Sequence, residues 1–310
     1  MKKVFYILIS VLFLFGCSKT QQNDTEYYYS FTDSTGKEVI LQKAPKRIAI
    51  LFSSYADIWV TAGGKVDITV GESIERGFAD ISAILVDEGS GHSTINTELL
   101  IASEPDLIIG TADYECQRKT VEFTSEHGIP SALFKVETFN YYLTVLKIFC
   151  DITQRADLYE KYGISVKEQI DDILTNSSLE QNKNTEILFV RAGSSAKSTK
   201  AKNSEQHFVC GMIDELGFTN IADEAKQLLD GLSIETVVAK QPEYILISLM
   251  GNEENSTEYV KSLLSSAGWK DLDCVKKGNY VFLPKKLFHY KPNSRWAEAY
   301  SFLLNILQTE

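Results

Sequence analysis

Apolar runs bounded by turn residues recur along the chain, and one phrase of the pattern is written twice. The first copy runs from Glu98 through Pro105 and Asp106 to Ile109, the second from Glu235 through Pro242 and Glu243 to Ile247. In each, a Glu opens a short helical stretch, where an acid suits the positive helix end. A Pro then forbids continuation, and a β-rich apolar run follows that reads as a parallel strand buried on both faces. Two copies of one helix–Pro–strand unit predict an α/β protein of two lobes of similar build, each around a parallel sheet.

Around these copies the pattern places further elements. Tyr27–Leu41 reads as a hairpin turning at Asp33-Ser-Thr-Gly36. Ile48–Phe52 is a strand, Ser53-Ser54 a cap for the helix carrying Tyr55, Ile58, Trp59 and Val60, and Val66–Val70 the next strand, giving a right-handed crossover. A long loop spans Ser73–Ser93. Gln117–His127 is helical, and Ser131–Val136 is a strand that completes the first lobe. Between Asn140 and Asn176 there is no Pro and a single Gly, Gly163, with apolar residues at helical spacing, so this stretch is two helices or one long one. In the second lobe the pattern gives a strand over Glu186–Val190 ending at Arg191, a Ser/Lys-rich loop over Ala192–Asn203, and a helix over Gln206–Leu216. After the second copy come a helix over Glu258–Ala267, an irregular stretch Trp269–Asn279, a strand Tyr280–Leu283, a loop Pro284–Asn293 and a closing helix Ser294–Leu307. The expected layout is residues 27–139 for the first lobe, 140–176 for a connecting helix and 185–310 for the second lobe.

Composition adds what the pattern cannot. At 310 residues and 44% apolar the chain can hold two cores, and its net charge of −11 argues against nucleic acid as a partner. Lys2 and Lys3 precede an apolar run over Val4–Phe15 that is short for a spanning helix. Leu14-Phe15-Gly16-Cys17 then resembles a bacterial lipobox. Residues 1–17 therefore read as a signal segment ending at a lipidated Cys17, and residues 18–26 as a flexible tether, which places the protein outside the cytoplasm on a membrane anchor. The remaining Cys116, Cys150, Cys210 and Cys274 contain no Cys-x-x-Cys pair, so a zinc site is not indicated, and both disulfides and four buried thiols fit them. No Gly-x-Ser-x-Gly, His-Glu-x-x-His or P-loop occurs, which points away from an enzyme.

The ordered set Asp33…Gly36, Ala44-Pro45-Lys46-Arg47-Ile48, Gly71, Glu98…Pro105-Asp106-Leu107-Ile108, Gly128-Ile129-Pro130, Gly217-Phe-Thr-Asn-Ile-Ala222, Ser233-Ile-Glu235 and Trp269…Val275 resembles the helical-backbone substrate-binding proteins of ABC importers, which take iron-siderophores, haem or cobalamin. The resemblance runs from about Phe31 to Leu307. It implies two Rossmann-like lobes joined by a long rigid helix with a ligand cleft between them. It also implies a monomer without an intrinsic cofactor, whose partners are the importer permease and its ATPase. Glu98 and Glu235 take the positions of the acids that dock on permease arginines. The ligand is expected outside the carboxyl ends of the strands, beside Tyr55, Trp59, Arg76, His92, Tyr114, Arg191, Lys202, Met250, His289, Tyr290 and Arg295. His92 and Met250 would be the haem-ligand pair. Tyr55 and Trp59 fit a core equally well, Lys197–Lys202 a solvated loop, and His289, Tyr290 and Arg295 an anchor for the last helix. The ligand class expected is a ferric siderophore or haem. Cobalamin, a zinc or manganese receptor of related fold, a diverged lipid-anchored hydrolase and an adhesion protein are the alternatives.

Overall fold

The computed structural model describes residues 27–87, 94–177 and 182–308; His92 and Cys17, named above, lie outside them. A hairpin of β1 (Tyr29–Thr32) and β2 (Glu38–Leu41) opens the first lobe. Its turn is closed by the buried Asp33, whose Oδ1 accepts from the Thr35 and Lys37 amides. Asp33 Oδ2 accepts from the Leu133 amide at 2.9 Å, which ties the hairpin to the sheet of this lobe. That sheet is built from β3 (Ile48–Ile50), β4 (Ile68–Thr69), β5 (Ile84–Leu85), β6 (Leu107–Thr111) and β7 (Ser131–Phe134). Its order is β5-β4-β3-β6-β7, parallel throughout. Because both faces of β3 and β6 are covered, every residue of these strands is buried, as their unbroken apolar runs require.

The second lobe repeats the plan with β8 (Glu186–Ala192), β9 (Lys200–Ala201), β10 (Thr219–Asn220), β11 (Tyr244–Leu249) and β12 (Tyr280–Phe282). The order β10-β8-β11-β12 is parallel, and β9 folds back antiparallel on β8. The two copies of the repeated phrase are the same object in space. Helices Thr97–Ala102 and Ile234–Lys240 are capped by Asn96 and Ser233, whose side chains accept from the amides of Leu99 and Thr236. Each helix is followed by a left-handed residue directly before Pro, Glu104 at φ 50° and Gln241 at φ 46°. The chain then enters the inner strands β6 and β11.

The connector is two helices. Phe139–Thr153 ends at the left-handed Gln154; Ala156–Tyr159 continues through a π turn, Glu160–Ile164, into Ser165–Asn176. Gly163 lets the two pack closely, since a Cβ there would meet Leu143 at 3.1 Å and Tyr159 at 3.2 Å. One hydrophobic core spans both lobes through this connector and the closing helix Trp296–Leu307.

Several local expectations change. Ser53 and Ser54 lie inside the Ser53–Thr61 helix, after the uncapped Phe52, because both hydroxyls are used elsewhere. The Ser/Lys-rich loop contains β9, whose Lys200 and Ala201 pair with Arg191 and Val190. Trp269–Asp271 and Asp273–Lys277 are helical turns, as is Lys285–Phe288, and the helix expected from Glu258 starts at Glu253 behind an Asn252 cap. The four cysteines are free thiols. Among the described residues no helix is long and apolar enough to cross a membrane.

The paired left-handed residues make a test of the repeat. Left-handed backbone costs a non-Gly residue about 1–2 kcal/mol, against about 0.5–1 kcal/mol of added chain entropy for Gly. Glu104→Gly and Gln241→Gly should therefore each stabilise by about 0.5–1 kcal/mol, raising Tm by about 1–3 °C in thermal unfolding. A lowered Tm for both would contradict this account of the turn.

Candidate functional site

A cavity of about 490 Å³ lies between the lobes. Parallel strands put their loops on one side, and both sheets turn that side toward this space. In the first lobe, Phe52 follows β3, Glu72 follows β4, Asp113 and Tyr114 follow β6, and Lys135 and Glu137 follow β7; all line the cavity. From the second lobe come Arg191 at the end of β8, Gln206 to Phe208 at the start of a helix, and His289 to Lys291.

Most charges here are already matched. Lys291 Nζ lies 2.9 Å from Glu137 Oε2, joining the lobes, and Lys135 Nζ lies 3.8 Å from Asp113 Oδ1. Ser53 donates to Glu72, and Arg76 Nη1 donates to Ser53 Oγ at 2.8 Å. The Arg76 guanidinium also stacks on Tyr290, 3.8 Å from the ring centroid. Asn293, fully buried at φ 51°, donates through Nδ2 to the Ser54 carbonyl and to Asp57 Oδ2, both at 2.9 Å. Residues 289–293 thus strap the second lobe onto the first.

Arg191 is different. No carboxylate pairs with it among the described residues, and its buried Nε has no partner. Its Nη2 lies 3.4 Å from His289 Nδ1. Burial lowers the affinity of Arg191 for its proton, opposed by the nearby Tyr114 phenol. Burial first, then Arg191 and Lys285, pushes His289 down to about 4. His207, ringed by Phe189 and Phe208 at 4.9 and 4.7 Å, is driven well below the ordinary histidine value by burial. Its Nδ1 accepts from the Val209 amide at 3.3 Å and caps a helix. Both histidines are therefore neutral near pH 7.

Of the residues singled out in the sequence, Tyr114, Arg191, His289 and Tyr290 line this cavity, and Arg76 stands behind Tyr290. Tyr55 and Trp59 do not. Tyr55 is buried with its hydroxyl on the Phe134 carbonyl at 2.7 Å, and Trp59 donates to the Lys65 carbonyl while its ring meets Phe149 edge-on. Both side chains face the core because they lie on the inner face of their helix. Lys202, Met250 and Arg295 also fall outside the lining: the backbone of Lys202 serves Cys210 and Asn220, Met250 bonds back to Ala192, and Arg295 donates to the Lys286 carbonyl. Glu98 and Glu235 are exposed in the first turns of the two capped helices, one per lobe.

The sequence reading missed Glu72, Asp113, Lys135, Glu137, His207 and Lys291. Glu72, Asp113 and Glu137 follow the ends of the expected strands by one to four residues, a placement those strands already contained, whereas Lys135 fell inside the expected strand Ser131–Val136 and is released because the strand ends at Phe134. His207 and Lys291 enter only through tertiary packing. Among the described residues no group of three or more His, Cys, Asp or Glu is placed to hold a metal ion.

Comparison with known proteins gives the fold its relatives. The siderophore-binding protein BauB, bound to two acinetobactin molecules and ferric iron, superposes with a TM-score of 0.71 at 14% identity, over 91% of this chain and 99% of that one. SirA of Staphylococcus aureus, in complex with staphyloferrin B, gives 0.68 at 16% identity over 91% and 99%. The periplasmic haem-binding protein RhuT of Roseiflexus sp. RS-1, in apo form, gives 0.67 at 18% over 84% and 97%. No curated protein matches. The sequence pattern of the periplasmic binding protein family matches residues 48–287, most of the described fold and the cavity lining up to Phe208, with His289 to Lys291 just beyond it, and this chain belongs to that family.

Proposed function

We propose that this protein is a lipid-anchored extracytoplasmic receptor that captures an iron chelate between its lobes and delivers it to an ABC importer permease. The observation that carries the reading is the interlobe cavity with an uncompensated cation, Arg191, at its wall. A buried charge is costly unless paired, and an anionic ligand supplies the pair. Phe52, Tyr114, Phe208 and Tyr290 add the aromatic surface that a bulky chelate covers. The relatives that bind siderophores or haem share this fold.

A hydrolase needs a nucleophile paired with a base. His207 caps a helix and His289 faces Arg191, and neither bonds to a Ser or Cys hydroxyl or thiol. Anionic chelates are favoured over an axial haem pair, because Met250 stands outside the cavity lining. Export rests on the segment ending at Cys17, and delivery on Glu98 and Glu235, whose carboxylates suit arginine forks.

Three outcomes are expected. Protein beginning at Ser18, titrated with ferric siderophores, haemin and cobalamin, should gain about 2.7 kcal/mol of stability at one hundred times the dissociation constant of a true ligand. Silence from all of them would remove the receptor reading. In vesicles holding the cognate importer, Glu98→Ala and Glu235→Ala should each cut receptor-stimulated ATP hydrolysis about tenfold with chelate binding intact, as for loss of a charge-assisted contact worth about 1.4 kcal/mol or more. Unchanged stimulation in the double variant would rule these acids out as docking residues. In cells, Cys17→Ser should move the protein from the membrane fraction to the soluble extracytoplasmic fraction, and retention at the membrane would refute the lipid anchor.

A further inference from the structure

The cavity wall holds two nitrogens that face each other with nothing anionic between them. Arg191 Nη2 can only donate, so at 3.4 Å the facing Nδ1 of His289 must accept, and the imidazole proton sits on Nε2. Leu249 offers that ring a backbone acceptor. The Arg191 Nε beside this contact is buried and without a partner. An oxygen anion about 2.9 Å from both nitrogens would close a triangle, accepting from Arg191 on one edge. The other edge accepts a bond only if Nδ1 also carries a proton.

We propose that Arg191 and His289 together seat a carboxylate or similarly anionic oxygen of the captured chelate, and that filling the seat brings one proton from solvent onto His289. The inference rests on the chelate-receptor reading. It adds to it a ligand class, chelates with an uncoordinated anionic oxygen, and a pH response in which capture tightens as pH falls.

The surroundings fix the sign. The charges acting on His289 are cations: Arg191 from β8, Lys285 from the turn before it, and Arg76 stacked on the adjoining Tyr290. His207, itself neutral, lies across the floor. Among the described residues, three of the cavity's four carboxylates are engaged elsewhere, Glu137 with Lys291, Asp113 with Lys135 and Glu72 with Ser53, and the fourth, Glu205, is exposed and is not among the charges acting on Arg191 or His289. Lys285 is paired in turn with Glu253 at 3.4 Å. Tyr114 is the one acidic group acting on Arg191, and its own phenol is pushed up by burial. The empty seat therefore holds imidazole, and a bound anion, offsetting the Arg191 charge and accepting a bond from the Nδ1 proton, favours imidazolium. The proton that arrives comes from the medium and leaves with the anion. The free-state value of His289, about 4, sets the lower end of the window.

The test uses the full mature protein with two probes, ferric dicitrate, which carries free carboxylates, and ferrichrome, a neutral ferric trihydroxamate. Isothermal titration in buffers of contrasting ionisation enthalpy, from about pH 5 to about pH 7.5, counts the protons taken up. His289→Gln keeps the titration of the ligand itself, so the difference from wild type belongs to His289. Ferric dicitrate should bind wild type with nearly one more proton near pH 5.5 than it binds His289→Gln, and its affinity should rise by up to about tenfold more per pH unit of acidification. Arg191→Met should weaken it by about tenfold or more, and Arg191→Lys should restore part of the affinity and the proton uptake. Thermal unfolding of each variant checks that it is folded. Equal proton uptake in wild type and His289→Gln would overturn the seat. Ferrichrome bound by all variants with dicitrate ignored would also overturn it, while leaving the chelate-receptor reading in place. Failure of both probes, with haemin and cobalamin silent too, would take both down.

Discussion

The structure depends on one packed aromatic contact between its halves. Trp296 opens the closing helix almost completely buried, with its ring 6.2 Å from Phe139 at the start of the connector and 5.6 Å from Phe208 at the start of a second-lobe helix, both edge-on. A Trp buries about 150–250 Å², so truncation here should cost about 3–5 kcal/mol. Phe208 itself lines the cavity. The anchor of the fold and the wall of the site therefore share a side chain, and the lobes cannot move apart at this point without opening the core.

A second constraint lies nearer the ligand. Residues 289–293 touch the first lobe through the Tyr290–Arg76 stack, the Lys291–Glu137 ion pair and the two bonds from Asn293. With the connector helices on one side and this strap on another, the cavity is held in a preformed shape. Preformed sites keep more of their contact energy as affinity, since less is spent on ordering. They also fix where charge must go, which is why the unmatched Arg191 is informative: its neighbours had partners built in, and it did not.

The two-lobed architecture was legible in the sequence because its signal is local. The phrase from Glu98 to Ile109 and its copy from Glu235 to Ile247 carry caps, stops and strand runs within a dozen residues, and they fold as such. The parallel sheets followed from apolar runs too continuous for a half-solvated strand. The helical turns at Trp269–Lys277 were not legible, since segments of three to five residues have no periodicity to detect. β9 was hidden because its two residues are held by pairing with β8, and nothing in a Ser/Lys-rich run announces that partner.

The site was legible where a residue's role follows from the end of a strand and illegible where it follows from packing. Arg191 and Tyr114 were reachable because strand ends meet the cleft. Tyr55 and Trp59 lie on a helix, and helical spacing alone does not say which face is inward; the core took both. Glu137 and Lys291 stand 154 positions apart in the chain and become one feature only when the lobes close over it. The same holds for Arg191 and His289. Separately, they are an arginine after an apolar run and a histidine in an aromatic loop. At 3.4 Å, with cations around them and no carboxylate paired with either, they form the seat we propose for an anionic oxygen. That seat is a property of the pair, so the sequence could name its members without stating what they do together.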